Sequence, residues 1–256
     1  MHATEERGVR TITFDRPDAM NAFTTDAAAE LAGRIAGTDP EGVDAIVLTG
    51  EGRAFSAGGD VAAMAELDER PDEAAARIEE SFGRLAEAVL DAPLPIVARV
   101  NGDAVGAGLS IVALSDFAYT VESARFGAAF VKVGLIPDTG GTFLLPRLVG
   151  LRAAKRLVFT GNLIDAREAA DLGLVNRTVP TDELDAAVDD LLDTLRGRPT
   201  RTIGLAKRAL HENMAASQAS ALEYEALLQS HAYGTPEHEA GVQSFLGNDS
   251  GADSDA

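Results

Sequence analysis

Two glycine-bearing turns are the places in this chain where backbone groups could do chemistry. One is residues 55–60 (FSAGGD), directly after the apolar run 45–49, and the other is residues 101–108 (NGDAVGAG), directly after the apolar run 96–100. Each has the form of a strand, a tight turn and a helix start. Small residues let a ligand reach the backbone there, and the first N–H groups of a helix have no intrahelical partner. Two such turns predict an oxyanion hole, in which two N–H groups stabilise one oxygen that gains negative charge.

The two turns belong to an ordered series of motifs that resembles the crotonase (enoyl-CoA hydratase/isomerase) superfamily. The series begins at residues 14–23 (FDRPDAMNAF), which are similar to that family's first-strand signature, and includes residues 134–142 (GLIPDTGGT). It continues nearly to the end of the chain, through residues 126–127, 157–161, 169–175 and 239–245. The resemblance implies an α/β fold with a crotonase-like spiral of ββα units over residues 1–180. It also implies a C-terminal helical trimerisation region at 181–246.

The resemblance implies specific roles for the first turn and for Ala107, which lies at the start of the helix after the second turn. The oxyanion-hole donors would be the backbone N–H groups of Gly59 and Ala107. The pantetheine and adenine of coenzyme A would be held by backbone groups of five residues around the first turn: Ser56, Ala57, Gly58, Asp60 and Val61. Without the resemblance, these glycines could be ordinary turn residues and Asp60 only the N-cap of a helix.

The side chains beside the thioester depart from the pattern of the family's hydratases. By the resemblance, a hydratase positions and activates water with two glutamates, at the positions that Ser110 and Phe130 occupy in this chain. A serine hydroxyl without a His or Lys partner is no general base, and phenylalanine transfers no protons. Water addition by the two-glutamate route is therefore not expected.

One carboxylate remains in the motif series, that of Asp138. An aspartate just before a glycine-rich helix start could be only an N-cap. However, residues 136–147 are similar to the phenylacetate-pathway subgroup that isomerises a ring epoxide and shifts double bonds, and the resemblance makes Asp138 the acid/base residue. Phe130 fits the same subgroup and, by that resemblance, lies at the substrate-binding site. We expect it to form an apolar wall with Phe143 and Leu144 that raises the pKa of Asp138.

These features predict an acyl-CoA isomerase that shifts a double bond or isomerises a ring epoxide. Two alternatives remain open. One is an enoyl-CoA hydratase-like enzyme with non-standard catalytic residues, and the other is a non-catalytic crotonase scaffold that binds acyl-CoA. A homotrimer or a dimer of trimers is the assembly that the resemblance implies.

Composition limits the partners of the chain, because 41 acidic residues outnumber 22 basic ones and give a net charge of -19. This charge disfavours nucleic acid and anionic membrane surfaces, since phosphate binding depends on Lys and Arg. Lys occurs only at positions 132, 155 and 207. An acidic, Lys-poor chain is typical of a salt-rich cytosol, so we expect a halophilic source; a GC-rich genome is the alternative explanation.

The chain contains no cysteine, which excludes disulfides, thiol nucleophiles and thiolate metal sites. Its four histidines show no metal-ligand spacing, so no metal is expected. No segment approaches the roughly 20 apolar residues of a membrane helix, and the N-terminus has no signal pattern. We therefore expect a cytoplasmic protein without a separate cofactor, because coenzyme A would arrive as part of the substrate.

Strand-like runs alternate with helical patterns up to about residue 180, which predicts a mainly parallel sheet system. The strand candidates are residues 9–15, 45–49, 96–100, 117–120 and 175–179. Helices are predicted between them at residues 25–35, with Thr25 as N-cap, 72–90 and 106–114. Later helices are predicted at residues 183–196, 201–215, 219–233 and 236–245. The polar, acidic residues 247–256 are predicted to be a disordered tail.

Overall fold

The computed structural model describes residues 1–249, which form ten strands and twelve α-helices. The strands are β1 (His2–Glu6), β2 (Val9–Phe14), β3 (Ala45–Gly50), β4 (Ala54–Ser56), β5 (Ile96–Val100), β6 (Asp103–Val105), β7 (Phe117–Val121), β8 (Arg125–Gly127), β9 (Ile164–Asp165) and β10 (Arg177–Val179). The helices are α1 (Thr25–Ala36), α2 (Val61–Ala65), α3 (Pro71–Ile78), α4 (Arg84–Asp91), α5 (Ala107–Leu114), α6 (Gly141–Leu148), α7 (Gly150–Thr160), α8 (Ala166–Asp171), α9 (Leu184–Arg196), α10 (Thr200–Asn213), α11 (Gln218–Tyr233) and α12 (Pro236–Asp249).

The strands form two sheets. The larger has the order β1-β2-β3-β5-β7-β10, and all its pairs are parallel except β1 with β2. Every residue of β3 is buried, as expected for a parallel strand covered on both faces. The smaller sheet has the order β4-β6-β8-β9, with only its last pair antiparallel. The mainly parallel α/β architecture predicted from the sequence is therefore confirmed.

Consecutive strands alternate between the two sheets, and this alternation brings the glycine turns together. In the pairs β3/β4, β5/β6 and β7/β8, the first strand joins the large sheet and the second joins the small one. A helix follows each pair, namely α2, α5 and, after a 3-10 turn, α6. This is the expected spiral of ββα units. Because β4 and β6 are parallel neighbours, the turns at their carboxyl ends lie side by side.

Sequence patterns missed β1, α7 and α8, and they missed the whole of the small sheet. Its strands are only two or three residues long, shorter than the run of about four residues that a strand pattern needs. The N-cap of α1 was also predicted one residue too late. The hydroxyl of Thr24, rather than that of Thr25, accepts the N–H of Ala27 at 3.2 Å. The predicted helix 72–90 is divided into α3 and α4 by a π-helical turn, Glu79–Gly83.

The helical C-terminal part begins after β10, where strand patterns end, and α10 is joined to the sheet region by a buried ion pair. Lys207 Nζ lies 2.8 Å from Asp116 Oδ2 and donates to the carbonyl of Leu94 at 3.2 Å. Helix α12 continues through Asp249, so residues 247–249 of the predicted tail are helical, and residues 250–256 lie outside the described residues. No helix within residues 1–249 is long and apolar enough to span a bilayer.

Candidate active site

The two glycine turns are packed directly against each other. Gly58 has φ +99°, and a Cβ at this position would lie 3.3 Å from the backbone nitrogen of Ala107. A Cβ at Gly108 would lie 2.5 Å from the carbonyl oxygen of Ser56, which no real side chain tolerates. Both contacts therefore need glycine, and they place the backbone of Gly59 next to the start of α5.

Two N–H groups in these turns have no protein partner. Among residues 1–249, neither the Gly59 N–H nor the Ala107 N–H donates a hydrogen bond. In contrast, the neighbouring amides of Gly58, Asp60 and Gly106 each donate to a protein oxygen at 2.9–3.1 Å. The fold therefore satisfies the amides on either side of Gly59 and the amide before Ala107, and it leaves the two predicted donors available for a ligand oxygen.

The first turn is held in place by a loop that the chain forms before α1. Asn21, buried and at φ +56°, donates through Nδ2 to the carbonyls of Glu51 and Ala54 at 3.0 and 2.8 Å. The carboxylate of Asp60 caps α2 by accepting the Ala63 N–H at 3.1 Å. It also accepts from Arg16 Nη2 at 2.8 Å.

The two contacts of Asp60 have an electrostatic consequence. The Ala63 N–H, and then the Arg16 guanidinium, lower the pKa of Asp60 below its usual range. Its carboxylate therefore stays ionised to lower pH than that of an ordinary aspartate, and it caps α2. A contribution of this residue to ligand binding would come from its backbone.

A cavity of about 180 Å³ lies at these turns and contains most of the predicted site residues. Six of the predicted residues line it: Ala57, Gly59, Val61, Ala107, Phe130 and Asp138. Ser56, Gly58 and Asp60 do not line it and belong to the framework behind the first turn. The buried Ser56 hydroxyl, for example, donates to the carbonyl of Asn21 at 2.9 Å.

Sequence patterns missed part of the cavity wall and assigned two residues to it wrongly. Phe143 and Leu144 do not line the cavity; the guanidinium carbon of Arg147 lies 3.7 Å from the centre of the Phe143 ring. Side chains from other elements take their place: Met64, Phe82, Lys132, Val133 and Leu135. The helix predicted over residues 72–90 includes Phe82, but the sequence did not predict its contact with this cavity.

Asp138 is half-buried in the loop before α6, and it does not cap that helix. The residue before α6 is Gly140, and no side chain caps the helix. The main-chain carbonyl of Asp138 accepts the Gly141 N–H at 2.8 Å and the Ser110 hydroxyl at 3.2 Å. Its carboxylate accepts the Thr139 hydroxyl at 2.9 Å. Burial raises the pKa of Asp138 above its usual value, and the Thr139 hydrogen bond opposes this shift.

This combination of site and fold can be compared with known proteins. A sequence profile of the enoyl-CoA hydratase/isomerase family matches residues 4–250. The chain belongs to the enoyl-CoA hydratase/isomerase family. This places it in the crotonase superfamily, as the motif series indicated.

Similar proteins in this family include hydratases and isomerases. The chain is 32% identical to a 1,2-epoxyphenylacetyl-CoA isomerase from Escherichia coli, over 94% of this chain and 93% of the relative. It is equally identical to a crotonyl-CoA hydratase from Syntrophomonas wolfei, with the same coverage of both chains. The solved enoyl-CoA hydratase from Mycobacterium smegmatis has a TM-score of 0.88 at 31% identity, covering 96% of each chain. Family membership alone thus leaves the reaction open.

Within residues 1–249, no group of three or more His, Asp or Glu side chains has an arrangement that could ligate a metal ion.

Proposed function

We propose that this protein is an acyl-CoA isomerase that shifts a double bond, or isomerises a ring epoxide, next to a thioester. One observation carries the proposal: the unpartnered N–H groups of Gly59 and Ala107 share a cavity with the half-buried carboxylate of Asp138. Among the described residues lining that cavity, Asp138 is the one carboxylate. The site thus combines an oxyanion hole with a single acid/base group.

In the proposed mechanism, the thioester oxygen accepts hydrogen bonds from Gly59 and Ala107. As Asp138 removes a proton from the α or γ carbon, the electron pair moves towards the thioester and the oxygen becomes an enolate. The two N–H groups stabilise that charge, and each such donor is typically worth about 10²- to 10³-fold in rate. The protonated Asp138 then returns the proton to the other carbon of the conjugated system. Its raised pKa brings the carboxylate closer to the basicity that proton transfer requires.

The same proposal assigns the first turn to coenzyme A. Backbone groups around Ser56, Ala57, Gly58, Asp60 and Val61 would hold the pantetheine and adenine, and Phe130 would pack against the acyl group. Ala57, Val61 and Phe130 all line the cavity, which supports this arrangement. Coenzyme A is then part of the substrate, and no further cofactor takes part.

We also propose that the protein assembles as a homotrimer or a dimer of trimers. Large apolar side chains are exposed on the C-terminal helices, among them Leu210, Leu222 and Tyr233. Burial of these side chains against another subunit would remove apolar surface from water, which supports the proposed assembly.

Hydration is the second candidate activity, because several relatives are named as hydratases. The positions of the two expected glutamates argue against it. Ser110 is only 1% exposed, and its hydroxyl is directed to the carbonyl of Asp138. Phe130 lies in the cavity wall with no proton to transfer. A non-catalytic acyl-CoA-binding scaffold is the third possibility.

A substrate panel with an Asp138 variant tests these three functions. Wild-type protein should convert trans-3-enoyl-CoA to the conjugated isomer and leave crotonyl-CoA unhydrated. Asp138→Asn should lower isomerase kcat by roughly 10²-fold or more, because the general base is lost, while binding of coenzyme A esters stays nearly unchanged.

Asp103→Asn is the matched control for this variant. Asp103 lies in the second turn and pairs with Arg125, and it is absent from the cavity lining. Its replacement should leave isomerase kcat within a fewfold of wild type. Turnover of Asp138→Asn close to wild type would remove Asp138 from the mechanism. A wild-type hydration rate equal to the isomerisation rate would favour the second candidate.

A further inference from the structure

The loop that carries Asp138 contains a residue in an unusual backbone conformation. Thr139 has φ +52°, and Gly140, which follows it, has φ +73°. Glycine adopts this left-handed region freely, whereas a β-branched residue there is a strained outlier. Such strain persists only where the surrounding structure holds it. Thr139 is 4% exposed, so its side chain is enclosed by the fold.

The Thr139 side chain makes one polar contact, and it is with the neighbouring carboxylate. Its Oγ1 donates to Asp138 Oδ1 at 2.9 Å. Among residues 1–249, no other side chain donates to that carboxylate. The other contacts of Asp138, from Ser110 and Gly141, go to its main-chain carbonyl. They fix the backbone, and among the described side chains only Thr139 holds the carboxylate in place.

The charged surroundings of this loop are sparse. Lys132 is the only other titratable side chain among the described residues that line the cavity. The elements packed around Gly140 meet it with apolar side chains, Ala86 of α4, Leu114 of α5 and Leu144 of α6. The ionisation of Asp138 is therefore governed mainly by burial and by the Thr139 hydroxyl.

We propose that Thr139 is a positioning residue for Asp138, whose hydroxyl fixes carboxylate oxygen Oδ1 and leaves Oδ2 free to move the substrate proton. This inference rests on the proposed acid/base role of Asp138. The hydroxyl also favours the ionised carboxylate, which is the form that can accept a proton. It thereby offsets part of the penalty that burial places on the charged group.

Removal of the hydroxyl has a predictable sign. A hydrogen bond to the charged form lowers a pKa, so its loss raises the pKa of Asp138 further. Because the base must be deprotonated, kcat/KM falls as the pH drops through that pKa. The acid limb of the profile therefore moves to higher pH in a variant without the hydroxyl. Loss of the fixed orientation should also lower kcat by roughly tenfold, as expected for one hydrogen bond to a charged group.

Three variants of Thr139 test the proposal through the pH profile of kcat/KM. Thr139→Val keeps the shape and the β-branch, and Thr139→Gly relieves the backbone strain; both remove the hydroxyl. Both should shift the acid limb to higher pH and lower kcat. Thr139→Ser keeps the hydroxyl donor, so the acid limb of its kcat/KM profile should lie at the wild-type pH and it should retain most of the wild-type kcat.

Thr139→Gly keeps the test valid if the valine variant does not fold. Glycine is the residue that this φ favours, so a purely structural role for Thr139 predicts a folded glycine variant with wild-type kcat and pH profile. That result would overturn the proposal, as would a serine variant that behaves like the glycine variant.

Asp138→Asn separates this inference from the proposed function. If that variant keeps wild-type turnover, the acid/base role of Asp138 is wrong, and the proposal for Thr139 falls with it. If Asp138→Asn is inactive while Thr139→Gly has a wild-type profile, the inference about Thr139 alone is wrong.

Discussion

The two turns that present Gly59 and Ala107 differ from the Asp138 loop in what holds them in place. The turns are fixed by main-chain contacts at Gly58 and Gly108, where no Cβ fits. The Asp138 loop is fixed largely by the hydroxyls of neighbouring side chains and includes a strained non-glycine residue. One half of the site is thus made of backbone, and the other depends on side chains.

The two halves of the site respond differently to pH and to substitution. The two donors of the backbone half are peptide N–H groups, which do not titrate, so their hydrogen-bonding capacity is independent of pH, but Gly58 and Gly108 leave no room for an added atom. The function of the side-chain half depends on the pKa of Asp138. Helix α5 contributes to both halves of the site. Ala107 is its first residue, and Ser110, one turn later, donates a hydrogen bond to the main-chain carbonyl of Asp138.

Gly58→Ala should disrupt the packing between the two turns and have the largest effect on activity. A Cβ at Gly58 would lie 2.7 Å from the carbonyl oxygen of Val105, so the turns must separate and the two donors lose their common target. We expect isomerase kcat to fall by roughly 10²-fold or more. The alanine at φ +99° should also cost about 1–3 kcal/mol of unfolding free energy.

Gly150→Ala is the control for that variant. Gly150 also has a positive φ, +76°, but nothing lies within 4 Å of the position of its Cβ. Urea unfolding should therefore show only the loss of stability that the positive φ causes, with kcat unchanged. Equal losses of kcat in both variants would mean that backbone strain, rather than the contact between the turns, controls activity.

Met64→Ala should have a smaller effect that changes substrate selection. Met64 is half-buried, lines the cavity and covers Gly59. Its truncation should lower kcat/KM for short acyl groups about tenfold, since it loses roughly 1–2 kcal/mol of apolar contact. Bulkier or branched acyl groups should lose less or improve. Leu67→Ala, at an exposed position outside the cavity, should leave kcat/KM unchanged for both short and bulkier acyl groups. A uniform loss across all acyl groups would contradict a role in selection.

Salt should have the smallest effect on kcat and should act mainly on the stability of the whole molecule. With a net charge of -19, the native state suffers self-repulsion, which is screened over roughly 3 Å at 1 M salt. We expect Tm to rise from low to molar KCl and KM for the acyl-CoA to fall or stay flat. A Tm that stays flat or falls with rising salt would count against a halophilic source. It would not bear on the proposed roles of Gly59, Ala107 and Asp138.

The sequence predicted five of the six strands of the large sheet and none of the small sheet. The predicted strands correspond to β2, β3, β5, β7 and β10, and all of these except β10 are runs of five or six residues. The short strands of the small sheet exist because they pair with each other, and a pairing between distant segments leaves no local signature. Assembly, cytoplasmic location and a halophilic source stay predictions.

The sequence was sufficient to identify the groups that meet in the site. The glycines of the two turns and the start of α5 were identifiable because backbone geometry restricts the residue types that those positions accept, whereas Asp138 was identified from the family resemblance of its motif. The side chains that surround these groups were set by tertiary packing. Phe82, from an element far away in sequence, lines the cavity, whereas Phe143, five residues after Asp138, does not. The physical reason is that two left-handed residues redirect the chain before α6, and packing between distant elements then selects the wall.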